Sequence, residues 1–482
     1  MNSLKYIFLL IFTASIFQSC SDWIDVEPRT TIDSNNALNS LDRINAAVNG
    51  MYDRLQTTNL YGRDLIAIPE ALADNGRATN KSGRLNPEYR NTTGAHFLIW
   101  EFAYRTINEA NLIIASLPAR TEIAQDVRDG IEGQALFIRG LMYLELMKAY
   151  AYMPKAIVDV QNKGGVPLVL NGVADLPQVT FPPRSSIDDC YNQIYSDLKA
   201  AAVKLEKTAA SRAPAYATKS AALSLLSRAY LYGGDYANAA KASEDAMALV
   251  GSKLLTKANY IAGFRSAVNP ESIFEIPFVT NENIGVNLSL QTTYTTLVAV
   301  GNRTTTGGFG DLVPSANLLA AFQSDIDSVA GIFDQRRALY ELGTMGRGTA
   351  EIECTKYLGK NGTVNLDNIV IIRASEVLLN RAEAYYNTNK EAEALTDVNT
   401  IRTRAGLPAK TGLTGQALLD EILKQRRLEL AFEGHRFFDL KRLGKDLVKA
   451  PANVPFTDFR ILAGIPAREL GANKNLVQNF GY

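Results

Sequence analysis

The residues that first invite chemistry are Glu429 and Glu433, one helical turn apart in the run Arg426–Gly444. On one helix face they would offer the two carboxyl groups a glycosidase needs. Arg426, Arg427, Arg436 and Arg442 crowd the same run. Opposite charges at this spacing pair with one another, so ions locking helix ends explain the pattern more simply than catalysis. His435 beside them reads as a capping or packing residue rather than a general base. Gly308-Phe309-Gly310 starts like a dinucleotide loop, but Val313 stands where the third glycine belongs. Asp325-Ile326-Asp327-Ser328 begins like a calcium loop, yet Val329 and Ala330 fail the next ligand and glycine positions, which leaves a solvated helix end or turn. There is no GxSxG elbow and no P-loop. Three cysteines (Cys20, Cys190, Cys354) and two histidines (His96, His435) form no zinc-ligand cluster, so no metal and no cofactor are expected. Cys190 and Cys354 are expected as two buried free thiols. The chain offers no covalent machinery, and binding is the stronger reading.

Helices must supply the frame. In Ile369–Tyr386, Leu378, Ala382, Tyr385 and Tyr386 recur at helical spacing, and small Ala382 and Ala384 let a second helix approach. Asn387 to Lys390 make a polar turn, and Glu391 to Arg404 read as the returning helix. Leu419, Ile422, Leu423 and Leu430 form a further apolar stripe. Gly434 fits a C′ position ending that helix, and Phe437, Phe438, Leu440 and Leu443 resume the period. Ala229-Tyr230-Leu231-Tyr232-Gly233-Gly234-Asp235-Tyr236-Ala237-Asn238-Ala239 resembles the middle of a tetratricopeptide repeat, continued by Ala246 and Leu249. Ala384-Tyr385 and Ala394 repeat the same offset across a turn. These two copies are far apart, so the intervening sequence must form a second, irregular half. That half is expected over Lys253 to Gly310 and Leu342 to Asp367, with Ile273–Phe278 as a short strand. Nearer the start, Leu41, Ile44, Val48, Met51, Tyr52 and Leu55 mark a first helix within residues 34–55. Ser185 reads as the N-cap of a helix through Leu205. Trp100 with Tyr104 reads as core packing.

Met1 to Cys20 has the form of a secretion signal: Lys5, then a short apolar core from Tyr6 to Phe17, too short to span a bilayer. It ends at Phe17-Gln18-Ser19-Cys20, which resembles a bacterial lipobox, although bulky Phe17 and polar Gln18 depart from its strictest form. Cys20 is the expected lipidation site, followed by the acidic start Ser21–Pro28. Acyl chains on one cysteine would give lasting anchorage. The whole chain has 482 residues, with 50 Lys+Arg against 50 Asp+Glu. A balanced charge argues against nucleic acid as a main partner. No linker rich in Pro, Gly or Ser divides the chain, so residues 21–482 are expected to form one compact structural domain, with first helical pairs in 21–230 and a C-terminal region in 231–482.

Several motifs occur in one order over a long stretch: Ile372-Arg373-Ala374-Ser375-Glu376, Ala382-Glu383-Ala384-Tyr385, Asn399 to Gly406, and Arg427 to Leu440 with Glu429-Leu430-Ala431-Phe432-Glu433-Gly434 and Arg436-Phe437-Phe438-Asp439. This resembles the C-terminal signature of the RagB/SusD family, the surface glycan-binding lipoproteins of Bacteroidetes. Gln425 departs from the family, which usually has Glu there. Earlier landmarks (Trp100 to Asn111, Glu132 to Arg139, Gly164 to Leu168, Asp334 to Arg337, Lys356-Tyr357) and the closing Asn475–Tyr482 extend the resemblance over nearly all of the mature chain. It implies a mostly α, tetratricopeptide-like superhelix, SusD-like, with an irregular loop-rich flank. It further implies a lipid-anchored protein of the outer membrane that faces the cell surface, captures oligosaccharide and passes it to a SusC-like TonB-dependent transporter, without enzymatic activity. In that family the ligand surface lies mainly on the irregular half. Sugars need flat rings and polar rims, which favours Asn75, Arg77, Tyr89, Tyr294, Asn302, Arg303 and Phe309. Two other readings stay open: a peptide ligand, as in the RagB branch, and a surface glycosidase using Glu429 and Glu433.

Overall fold

A computed structural model describes residues 37–251 and 253–482. Cys20 and the other leader residues, with Trp23, lie outside the described residues. The first helix, α1 (Leu41–Arg54), starts where Ser40 accepts a hydrogen bond from the Arg43 N–H. It buries Ile44, Val48, Met51 and Tyr52 against the next long helices. These are α4 (Trp100–Ser116) and α5 (Gln125–Tyr150). Between α1 and α4 lie α2 (Asp64–Leu72), the short strand β1 (Gly76–Ala78) and the one-turn α3 (Asn86–Tyr89).

From α4 the helices stack in sequence, each against the next. α5 packs on α6 (Ile187–Lys204), α6 on α7 (Lys219–Gly233), and α7 on α8 (Tyr236–Val250). The N-cap of α6 is Ser186, one residue beyond the expected Ser185, because the Ser186 hydroxyl is the one that accepts from Asp189 N–H. Residue 230 falls inside α7, so the two expected regions meet within a helix. Where α7 crosses α8, Ala229, Ala239 and Ala246 are fully buried, and the Tyr195 and Tyr230 rings stack beside them at 4.3 Å. Small residues permit the close crossing and the rings fill the gap beside it.

The stack then skips more than a hundred residues. α8 packs directly on α12 (Ala374–Asn387), which pairs with α13 (Glu391–Arg404) and α14 (Gly415–Leu430). The two tetratricopeptide-like hairpins are thus neighbours in space. The intervening excursion is closed at its base by an antiparallel pair, β2 (Ser272–Ile276) with β6 (Ile369–Arg373), running from Ser272↔Arg373 to Ile276↔Ile369 with a register irregularity on each side of Phe274. The excursion holds short elements: α9 (Tyr260–Gly263), α10 (Leu290–Tyr294), β3 (Leu312–Pro314), α11 (Ala316–Gln323), β4 (Tyr340–Leu342) and β5 (Ile352–Cys354). β1 pairs with β3, Arg77 opposite Val313, and β4 pairs with β5. The first pairing fastens the irregular segment after α2 to the excursion, and together they make one loop-rich flank.

The last helices differ from expectation at one turn. α14 stops at Leu430 and Ala431 is its cap, so Gly434 is not the C′ residue. Phe432 and Gly434 both have positive φ, at 65° and 83°, and the chain folds back on itself before α15 (Arg436–Arg442). A Cβ on Gly434 would lie 2.7 Å from the Leu65 carbonyl oxygen, so the turn rests on the α2 backbone. Phe437 and Phe438 then enter the core, Phe438 stacked 5.4 Å from Phe97.

Candidate binding site

The paired carboxylates are sealed inside. Glu429 is fully buried, and its Oε1 lies 2.6 Å from both Arg373 and Arg404. Burial alone would raise its pKa, but Arg404, Arg373 and Arg336 outweigh it and hold the carboxyl well below the usual range. Glu433 sits in the turn after α14, bound to Arg373 and Lys356, and it too is held ionised against burial. An always-charged acid with no solvent access cannot donate a proton to a sugar oxygen. Downstream, Asp439 accepts from Arg426 and Arg442, and Arg442 clasps Glu383. Ion pairs do form, but none of the four neighbouring arginines meets Glu429 or Glu433: Arg427 and Arg436 go to Asp74, and the two glutamates are met by Arg373, Arg404 and Lys356 from distant segments. His435 stands at the N-cap position of α15 without a side-chain capping bond and is buried, with burial and the surrounding arginines pushing its pKa far down, so packing is its role. Asp325 receives Arg402 and Lys424 at 2.8 Å each, so it is an ion-pair anchor. Cys190 and Cys354 are buried free thiols. Among the described residues no group of three or more His, Cys, Asp or Glu is placed to hold a metal ion.

Two of the expected ligand residues serve the frame instead. Asn75 is fully buried; its amide donates to Glu70 Oε2 at 3.2 Å and its oxygen accepts from Arg427 at 2.8 Å. Tyr294 is also fully buried, donates its hydroxyl to the Ile66 carbonyl at 3.2 Å and packs against Phe432 and Tyr357. A polar loop composition does not separate inward hydrogen-bonding residues from outward ones. Trp100 is 3% exposed and packs on Tyr104 and Tyr150, which agrees with its reading as core.

The remaining five reach the surface of the loop-rich flank. Arg77 on β1 pairs with Glu351 at 2.8 Å. Tyr89 ends α3, half-buried, with the Lys449 ammonium 5.1 Å from its ring centre. Asn302 folds its own loop, its oxygen accepting from the Thr304 and Thr305 N–H groups. Arg303 beside it is exposed. Phe309 is half-buried, and its ring carries two guanidinium groups, Arg347 at 4.1 Å and Arg84 at 4.4 Å.

Beneath this surface Glu353 ties the flank together. It is fully buried and accepts from Thr295, from the Thr296 N–H and hydroxyl, and from Lys81. Gly310 and Gly343 come so close that an added Cβ would meet its carboxylate at 2.8 and 2.2 Å. Asp311, 1% exposed, similarly fixes Arg84 and Ser82. Rigid support of this kind is what lets a loop surface recognise a ligand without first being ordered. Arg84 and Arg347 are the contributors that sequence reasoning missed. They reach Phe309 from separate loops, and no local pattern announces either.

A concavity of ≈ 770 Å³ lies along α14 and α15. Several of its charged residues are engaged internally: Arg436 with Asp74, Arg426 with Asp439, and Lys424 with Asp325. No described helix is long and apolar enough to cross a membrane.

Comparison with known proteins places these features in context. A family model described as "SusD family" matches residues 352–482, and one described as "Starch-binding associating with outer membrane" matches residues 22–231. SusD-like protein P2 of Formosa agariphila is 26% identical over 538 aligned positions, covering 99% of both chains. SusD-like protein P38 of the same organism is 24% identical, over 100% of this chain and 99% of its own. Among solved structures, a SusD superfamily protein from Bacteroides thetaiotaomicron superposes with a TM-score of 0.80 at 27% identity. That match covers 91% of this chain and 99% of the other.

Proposed function

The chain belongs to the SusD/RagB family, and from that premise we propose that it captures oligosaccharides at the cell surface and delivers them to a SusC-like TonB-dependent outer-membrane transporter. The family's description, starch binding in association with the outer membrane, supports a surface glycan-binding role. The observation that carries the reading is the flank built around Glu353 and Asp311. It gathers ring and polar side chains on loops that buried carboxylates hold in place. Arg77, Tyr89, Asn302 and Arg303 are the proposed contacts, with Phe309 acting through the guanidinium groups of Arg84 and Arg347 that lie on its ring. The helical stack, α4 to α8 and α12 to α14, offers the extended face for the transporter, as repeat architectures commonly do. Cys20 would carry the acyl anchor, and residues 21–482 would act as one unit.

This role needs no catalysis, and Glu429 of the carboxylate pair is enclosed by Arg373 and Arg404. A glycan array and a peptide array probed with the detergent-purified full chain test the ligand class. Retention of oligosaccharides without release of products is expected. Binding confined to peptides would overturn the glycan reading. Crosslinking in native outer membranes, with the partner identified by mass spectrometry, tests delivery. A TonB-dependent barrel is the expected partner, and its absence from the crosslinked products would remove the transporter claim.

A further inference from the structure

Around Phe309 the acids are already engaged: Asp311 is 1% exposed and Glu353 fully buried, while the partly exposed Glu351 pairs with Arg77 and Glu341 accepts from the Gly301 N–H. Arg84 forms two hydrogen bonds to Asp311, at 2.9 and 2.6 Å, also reaches the Asn287 carbonyl, and lies over Phe309. Its guanidinium is therefore fixed, with part of its edge still at the surface. Arg347 lies on the same ring, exposed, and among the described residues no carboxylate pairs with it. Arg303 is likewise exposed and without a carboxylate partner among the described residues. The loops bearing these two arginines are joined, because the Thr306 and Thr344 hydroxyls hydrogen-bond at 2.7 Å. In the core of this protein, by contrast, arginines such as Arg373, Arg426 and Arg442 each meet at least one acid.

Phe309 is then not a free platform for a sugar ring, since guanidinium groups already occupy it. Arg84 spends its Nε–Nη2 edge on Asp311 and so braces the ring, while the exposed guanidinium of Arg347 on the same ring keeps an N–H edge free to meet a planar or tetrahedral anion with paired hydrogen bonds. The exposed hydroxyls of Thr304 and Thr305 stand next to Arg303 and suit a polar sugar rim. We propose that the shelf made by Arg84, Phe309 and Arg347, with Arg303 beside it, binds the anionic group of an acidic oligosaccharide, a carboxylate or a sulfate ester. This rests on the glycan-binding reading above.

The test is isothermal titration of the full chain in detergent with oligogalacturonate, with a sulfated galactan oligosaccharide, and with neutral oligosaccharides of matched length. The expected result is binding of at least one acidic probe, weakened by high salt. Arg347→Ala should reduce its affinity about ten- to a hundredfold, the range for losing a charged hydrogen-bond pair. Arg303→Ala should weaken it further. The exposed position of Arg347 predicts an unchanged melting temperature for the variant, and Arg347→Lys should restore only part of the affinity. The carboxylated and sulfated arms say which anion is taken. Neutral probes bound as well as acidic ones, or acidic affinity unchanged in the Arg303→Ala/Arg347→Ala double variant, would overturn this inference and leave glycan capture standing. Failure of every oligosaccharide to bind would overturn both.

Discussion

Arg373, the last residue of β6, and Glu433, 60 residues later in the turn after α14, face each other in a two-pronged ion pair, Nε to Oε2 at 2.7 Å and Nη2 to Oε1 at 2.9 Å. The same guanidinium also reaches Glu271 and Glu429. One buried cation therefore compensates acids from three segments. Removing one partner of such a group leaves charges with neither water nor counter-ion. Arg373→Met is expected to cost about 3–5 kcal/mol, read as a drop in the denaturation midpoint. Arg468→Ala, which removes an exposed pair with Glu101, should change stability by less than about 1 kcal/mol. Equal effects from the two variants would contradict the compensating role of Arg373.

Glu429→Gln separates a structural acid from a catalytic one. The substitution keeps shape but leaves Arg404, Arg373 and Arg336 short of one negative charge. The expected outcome is a lower melting temperature, with no product released from any glycan by either protein. Hydrolysis by the unmodified chain that vanished in the variant would reinstate the carboxylate pair as an active site.

Glu70 predicts a pH dependence. Its oxygens accept from Asn75 Nδ2 and from the Gly434 N–H, but burial dominates and pushes the carboxyl from 4.5 up to about 7. The folded chain thus holds this proton more tightly than the unfolded chain does. Its contribution to stability is complete below pH 4.5, falls as the pH rises towards 7, and is flat beyond. The span corresponds to roughly 3 kcal/mol. Glu70→Gln should remove that slope, seen by comparing urea midpoints of the two proteins across this window. Lys449, buried and bonded to the Ala71 and Leu72 carbonyls, is pushed down to about 7. Its effect has the opposite sign and acts above that value, so the two groups are separable.

Gly434→Ala should be costly for two reasons at once. The residue has φ of 83°, and an added Cβ would stand 2.7 Å from the Leu65 carbonyl oxygen. Strain and overpacking together predict a loss of roughly 2–4 kcal/mol. Gly94→Ala is the control: its φ is 85°, yet nothing lies within 4 Å of the new atom. Only the conformational part, about 1 kcal/mol, should remain there. Comparable melting temperatures for the two variants would mean that the turn does not rest on α2.

Much of the frame was legible in sequence because its causes are local. Apolar spacing and small residues foretold the hairpins at Ala229–Ala246 and Leu378–Ala394, whereas the charges around Glu429 foretold ion pairing but not its partners, which lie on distant segments. The turn at Gly434 was misread because the helix ends early, at Leu430, and Glu433 turns back to meet Arg373. That requirement arises 60 residues away and leaves no local trace. The same holds for the flank. Arg84, Phe309 and Arg347 converge from three loops, while Asn75 and Tyr294, alike in composition to surface residues, are drawn inward by Glu70, Arg427 and the Ile66 carbonyl.

The pairing of β2 with β6 means that the backbone departs from the helical stack and rejoins it at one clasp. The segment between Ile276 and Ile369 is consequently a long insertion whose two ends stand side by side, pinned inside by β1–β3 and by the Asp325, Arg336 and Lys356 ion pairs. Its exposed loops can change length and charge while those pins, and the helices on either side, keep their neighbours.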